Sequence, residues 1–107
     1  MQNFRFNKKT DSLFEAILSL NSVKEAEAFF RDLCTVEEIE DMTDRWQIVK
    51  LINKGKPYRK IAQRLKTSTT TVARVASWLR GGKGGYRLVL DRQKSHHHNS
   101  SSTGKGV

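Results

Sequence analysis

The sequence predicts an all-α fold of five to six short helices, packed as a single domain. Apolar residues recur at spacings of three and four through most of residues 11–79, which is the periodicity of helices with one buried face. Residues that favour helix caps precede several of these stretches, and no segment offers a partner strand for a sheet. A chain of 107 residues can bury a modest core if such helices pack together.

Each of the first three helices is predicted from its apolar period and a terminal signal. The first begins at Asp11 and can stop at Asn21. Residues 22–25 (SVKE) read as a capping box before the second helix, and residues 35–38 (TVEE) repeat that signature before a third, longer helix. Gly55 is a plausible C-terminal stop for the third helix.

Residues 58–80 predict two further short helices joined by a tight turn, which is a helix-turn-helix. Pro57 stands where a first-turn proline is tolerated, and Ser68 can cap the second of the two helices. Ala62 permits a close approach between them, and the facing walls are Ile61, Leu65, Val72 and Val75. The turn has Lys66 where glycine is common, so we expect a residue there to adopt a left-handed conformation.

The ends of the chain differ in composition from its centre. A glycine-rich break at 81–85 is followed by YRLVLDR at 86–92, which fits either a strand or a helical turn; we favour a short helix. We expect a flexible arm at 1–10, a helical domain at 11–94 and a disordered, low-complexity tail at 95–107.

Charge divides the chain into two contrasting halves. Residues 1–44 contain five basic and ten acidic residues, a net −5, whereas residues 45–107 contain fifteen basic residues and one acidic residue, a net +14. A basic half favours a polyanionic partner, and an acidic half suggests a segment that stays away from phosphate. The single cysteine and the absence of a signal peptide or long apolar run predict a cytoplasmic protein without a membrane span.

The helix-turn-helix carries the residues expected to bind double-stranded DNA. The flanking basic residues are candidate phosphate contacts: Lys56, Arg59, Lys60 and Arg64. The start of the second helix offers candidate contacts to phosphate and base edges: Ser68, Thr69, Thr70, Thr71, Ala73 and Arg74. Threonine and alanine methyl groups can pack on thymine methyl groups, and an arginine can read guanine.

Beyond these features, the sequence resembles a known family over about residues 11–92. The runs TVEEIEDMTDRWQIVKLINKGKPYRKIAQRL and STTTVARVASWL resemble the Trp repressor superfamily. The stretches DSLFEAILSL, FFRDLCTVEEI and GGYRLVLDR make the sequence more similar to the YerC/YecD-type Trp-repressor-related proteins. The resemblance implies an intertwined homodimer whose two reading heads enter successive major grooves of a palindromic operator. That agrees with the many large apolar residues of the first two helices, which suggest burial against a second subunit; a core within one chain is the alternative.

The resemblance also implies a candidate effector pocket at Thr35, Arg45, Arg74 and Trp78. The two arginines match those that sandwich the corepressor indole in the Trp repressor. Val75 replaces the small glycine that makes room for the ligand there, and Trp78 replaces a nearby serine. The substitutions argue against tryptophan as the ligand and leave open whether another small-molecule corepressor binds.

Two other functions are weaker interpretations of the same residues. The helix-turn-helix could instead be a protein-interaction module that docks on a transcription or replication protein, with Trp78 as its exposed apolar contact. An enzyme is not expected, because the three histidines lie together in the tail and Cys34 has no histidine near it in the sequence. We therefore expect no catalytic residues, no cofactor and no metal site, and we interpret residues 96–98 as part of a polar tail.

Overall fold

The computed structural model describes the backbone of residues 4–103 and the side chains of residues 4–95. The described part of the chain is all-α, as predicted, with six helices and no strand. They are α1 (Lys8–Leu18), α2 (Val23–Leu33), α3 (Val36–Asn53), α4 (Tyr58–Leu65), α5 (Thr69–Gly81) and α6 (Gly85–Thr103). None of these helices is both long enough and apolar enough to cross a bilayer.

The helix starts follow local capping. Helix α1 begins three residues before the predicted start, because Asn7 and Thr10 form a capping box. The Asn7 side chain accepts the Thr10 N–H at 3.0 Å, and the Asn7 N–H is donated to Thr10 Oγ1 at 2.8 Å. The capping box predicted before α3 is present, since Thr35 Oγ1 accepts the Glu38 N–H at 3.1 Å and Glu38 Oε1 accepts the Thr35 N–H at 2.8 Å.

Two further details differ from the sequence-based expectations. At α2, Ser22 Oγ accepts the Glu25 N–H at 3.1 Å, but the Glu25 carboxylate reaches the N–H of Asn21 rather than that of Ser22. The short helix expected at residues 86–92 is a 19-residue helix, α6, which extends into the segment predicted to be a disordered tail. Residues 1–3 of the predicted arm and 104–107 of the predicted tail lie outside the described residues.

The chain divides into two compact units. Unit 1 (residues 1–40) contains α1, α2 and the start of α3. None of its described residues is buried, although it carries many large apolar side chains. Phe4 and Phe6 stack edge to face with ring centroids 4.9 Å apart, and Phe6 lies 5.9 Å from Phe14, yet all three rings remain exposed.

Unit 2 (residues 41–107) contains the hydrophobic core. The rest of α3, together with α4, α5 and α6, contributes the core residues Ile48, Val49, Leu51, Ile61, Ala62, Val72, Val75, Leu79 and Leu90. Apolar burial of this kind is the main favourable contribution to folding. The two helices of the predicted motif therefore belong to the hydrophobic core of unit 2.

Candidate nucleic-acid interface

The turn between α4 and α5 has the conformation that the sequence predicted. Lys66 adopts φ 57° and ψ 47°, in the left-handed region, and among the described residues no other non-glycine residue has a positive φ. The N–H groups that follow Leu65 return to α4, with Thr67 N–H donated to the Ala62 carbonyl at 2.9 Å. Satisfying these carbonyls offsets the steric cost of a left-handed residue with a side chain.

The predicted apolar contacts fix α4 against α5. Ile61, Val72 and Val75 are essentially inaccessible to solvent, and Ala62 is buried where a small residue was expected. Leu65 is half-buried and packs against the same cluster.

A polar contact that sequence reasoning missed also joins the two helices. Arg80 donates from Nη1 to the hydroxyl oxygen of Tyr58 at 3.0 Å. The two residues are 22 positions apart, so no periodic pattern pairs them. Both lie within the helix-turn-helix, where this hydrogen bond ties the start of α4 to the end of α5.

The four predicted phosphate contacts are all exposed on or just before α4. Lys56, Lys60 and Arg64 line one open cleft of about 520 Å³, with Leu51 and Ile61 among its apolar neighbours. Arg59 is exposed as well. All four cations are therefore accessible to an anionic partner.

The predicted base-contacting residues lie on the first half of α5. Ser68, Thr69, Thr70, Ala73 and Arg74 are exposed. Thr71 is half-buried, and its N–H is donated to the capping hydroxyl of Ser68 at 3.0 Å. Thr71 is thus part of the helix cap as well as of the predicted surface.

Three of the four predicted effector-pocket residues come together in a cleft of about 280 Å³ within unit 2. Arg45, Arg74 and Trp78 line it, together with Val75, which is nearly inaccessible and belongs to the core. Two acidic residues that were not predicted for this pocket, Asp41 and Asp44, also line it. Thr35 is not among the lining residues; its hydroxyl caps α3.

Trp78 also lines a second, apolar groove of about 690 Å³, together with Trp46, Tyr86, Val89 and residues of the glycine-rich link before α6. The rings of Trp46 and Tyr86 are 6.3 Å apart. Trp78 is 46% exposed, so it is the exposed apolar residue that the protein-interaction hypothesis expected.

No group of three or more histidine, cysteine, aspartate or glutamate residues with metal-binding geometry occurs within the described residues. Cys34 is a half-buried free thiol. Residues 96–98, which hold the histidines, lie outside the range whose side chains are described.

The all-α fold, the left-handed turn and the exposed basic surface together define the chain as a helix-turn-helix protein. The sequence pattern of the family described as Trp repressor protein matches residues 8–94. This chain belongs to the Trp repressor family.

Individual relatives agree with that assignment and with the resemblance identified from the sequence. The chain is 39% identical over 95 residues to the uncharacterized protein YerC of Bacillus subtilis (strain 168), covering 89% of this chain and 91% of that protein. The fold is similar to that of a TrpR-like protein from Eubacterium eligens ATCC 27750, with a TM-score of 0.79, 36% identity, and coverage of 82% of this chain and 91% of the other. A candidate Trp repressor from Staphylococcus aureus superposes with a TM-score of 0.78 and 40% identity, covering 83% and 89% of the two chains.

Proposed function

We propose that this protein is a sequence-specific DNA-binding transcription regulator, acting as a repressor and as a homodimer through the helix-turn-helix of α4 and α5. The observation that carries the proposal is that exposed cations on α4 and exposed short polar residues on α5 flank the same turn. In this motif the first helix crosses the DNA backbone while the second enters the major groove. The Trp repressor family gives the proposal independent support.

The residues of the motif divide between positioning and reading. We assign Lys56, Arg59, Lys60 and Arg64 to phosphate contacts, which set register and affinity without reading sequence. The proposed base-reading group lies at the N-terminal end of α5 and its cap, and consists of Ser68, Thr69, Thr70, Thr71, Ala73 and Arg74. Ser68 and Thr71 also keep α5 capped, so their substitution would affect the helix itself.

A homodimer is supported by the exposed apolar residues of unit 1. Helices α1 and α2 contain no buried residue. Even their apolar side chains are exposed, with Leu18 at 82% and Val23 at 75%. Many exposed large apolar side chains on one segment are disfavoured in a soluble monomer and indicate an interaction site. A second copy of the chain covers it in our proposal, and the resulting dimer presents two reading heads to a two-fold symmetric operator.

The decisive experiment is footprinting on fragments of the source genome, combined with mobility shifts at several salt concentrations. We expect protection of discrete two-fold symmetric sites and a steep loss of affinity as salt rises. Uniformly weak binding that ignores sequence would refute the proposal. The sign of regulation is tested by a reporter placed under a protected promoter, which deletion of the gene should derepress.

The second candidate is a protein-interaction module, favoured by the exposure of Trp78 beside the apolar groove. Its partner would be a transcription or replication protein. Capture of such a protein that survives nuclease treatment and is lost in Trp78→Ala would favour this function. Capture that disappears with nuclease would instead indicate bridging by DNA and support the first proposal.

A further inference from the structure

Two arginines outside the four assigned phosphate contacts reach the same loop from different helices. The loop joins the end of α3 to the start of α4 and has the sequence KGKP at residues 54–57. Arg87, on α6, donates from Nη1 to Asn53 Oδ1 at 3.1 Å. Arg80, in the last turn of α5, donates from Nη1 to the Tyr58 hydroxyl oxygen at 3.0 Å. Since Asn53 and Tyr58 border the loop, the two guanidinium groups lie at its two ends.

These hydrogen bonds fix both arginines without cancelling their charge. The acceptors are a side-chain amide oxygen and a hydroxyl oxygen, and neither carries the negative charge of a carboxylate. A guanidinium has several N–H donors in a planar fork, so one hydrogen bond leaves others free. Arg80 and Arg87 are both exposed. Each is therefore a cation held in place at the surface, with donors that can still bind an anion.

The loop adds two more cations, and its backbone is fixed on the end of α3. The Gly55 N–H is donated to the Ile52 carbonyl at 2.9 Å and the Lys56 N–H to the Leu51 carbonyl at 3.1 Å. Lys54 and Lys56 are exposed, and Lys56 also lines the cleft of predicted phosphate contacts. The cationic surface therefore continues from α4 along the loop to the two arginines.

The position of Arg80 separates it from the proposed base-reading group. A helix rises about 1.5 Å per residue, so Arg80 lies about 16 Å along the axis of α5 from Thr69. The major groove is only about 12 Å wide. The guanidinium of Arg80 lies instead at the start of α4, the helix that crosses the DNA backbone in this motif. A phosphate oxygen is therefore a better match for it than a base edge.

Resting on the DNA-binding function proposed above, we propose that Arg80 and Arg87 bind phosphates of the DNA backbone outside the base pairs that α5 reads. A cation that is fixed before binding loses less side-chain entropy in the complex. The arginine fork also matches two oxygens of one phosphate. Because phosphate contacts carry no sequence information, these two residues lengthen the DNA that the protein covers without changing the sequence that it reads.

The length of the DNA tests this directly. The probes are two duplexes with the same operator, which the full-length protein has selected from random DNA. One ends at the outermost base pairs whose substitution weakens binding, and the other continues for about one helical turn of unrelated sequence on each side. On the short duplex, four contacts per protomer of the dimer give a slope of log K against log salt of about −7. On the long duplex, two more contacts per protomer should steepen the slope to about −11.

Glutamine variants identify the side chains that make these contacts. Arg80→Gln and Arg87→Gln each remove one charge per protomer, so each should reduce the slope difference between the two duplexes by about 1.8. Arg92→Gln is the matched control, because Arg92 is also an exposed arginine of α6. With about 3.6 residues per turn, it lies on a different side of that helix from Arg87, and its loss should leave the slope difference unchanged. Each comparison uses two DNAs on one variant, so changes in protein stability cancel.

The outcomes separate this inference from the function on which it rests. A slope difference that neither Arg80→Gln nor Arg87→Gln reduces overturns the proposal and leaves the regulator intact, with both arginines acting only as links between helices. A reduction by one variant alone overturns the role of the other residue. An equal reduction in Arg92→Gln overturns the proposal as well, because net charge would then explain the effect. Failure to select any sequence overturns the proposed function, and these backbone contacts with it.

Discussion

Substituting Lys60 by alanine should measurably reduce the salt dependence of DNA binding. Lys60 is exposed on α4 and lines a cleft with two other cations. Four phosphate contacts per reading head, doubled in a dimer, predict a slope of log K against log salt of about −7. Lys60→Ala removes one contact per head, so the slope should become about −5.4 and affinity should fall about 60-fold at 0.1 M salt and about 18-fold at 0.2 M.

The measurement is a fluorescence-anisotropy titration on a labelled operator at four or more salt concentrations. Lys24→Ala is the matched control, since it removes the same charge from an exposed position on α2, in the acidic half of the chain. The control should keep the slope of the parent protein. Equal changes in slope for both variants would refute the contact, because they would show that net charge alone sets the affinity.

Three further expectations concern the turn, the dimer and the effector. Lys66→Gly should raise the free energy of unfolding by up to about 1 kcal/mol in a urea titration, because it removes the steric strain of a left-handed residue with a side chain. Gly55→Ala should lower it by roughly 1–2 kcal/mol, because Gly55 has φ +84° and no neighbour lies near the added methyl group. The opposite signs would contradict the strain argument. Leu18→Asp should raise the dissociation constant of the dimer about 1000-fold in sedimentation equilibrium, because each of the two copies loses about 2 kcal/mol of leucine burial. Ser12→Asp on the same helix is the control and should leave the dissociation constant unchanged. L-tryptophan at millimolar concentration should change neither the melting temperature nor operator affinity, since Val75 fills the core beside the cleft; a saturable shift in either would contradict this.

The fold was largely predictable because the positions and starts of short helices depend on residues that are close in sequence. Apolar spacing placed the helices, and Ser22, Thr35 and Ser68 marked three of their starts with the expected hydroxyl contacts. The early start of α1 was missed because an asparagine paired with a threonine lacks the acidic residue of the usual capping box. The length of α6 was missed because its second half is polar and shows no apolar period.

The candidate site was predictable in composition but less so in arrangement. Charge and pattern identified the cations on α4 and the short residues on α5, which the structure places around one turn. The Tyr58 to Arg80 hydrogen bond and the acidic wall of the smaller cleft depend on contacts between residues far apart in sequence. Such contacts are set by packing, which periodicity does not encode.

The residues proposed for dimerisation and those proposed for DNA contact lie in different units of the chain. The acidic half of the chain ends at Asp44, close to the boundary between unit 1 and unit 2 at residue 40. The exposed apolar helices α1 and α2 therefore belong to the acidic part, while every predicted phosphate contact belongs to the basic part.

If self-association depends on unit 1 and phosphate binding on unit 2, a Leu18→Asp monomer should still bind DNA through one helix-turn-helix. The slope of log K against log salt should then be about −3.6, half that of the dimer. Its preference for two-fold symmetric sites should disappear, because one head reads only one half-site. A monomer that keeps the salt slope of the dimer would show that phosphate contacts extend beyond α4. A monomer that binds no DNA at low salt would show that the helix-turn-helix depends on α1 and α2 for its folded structure.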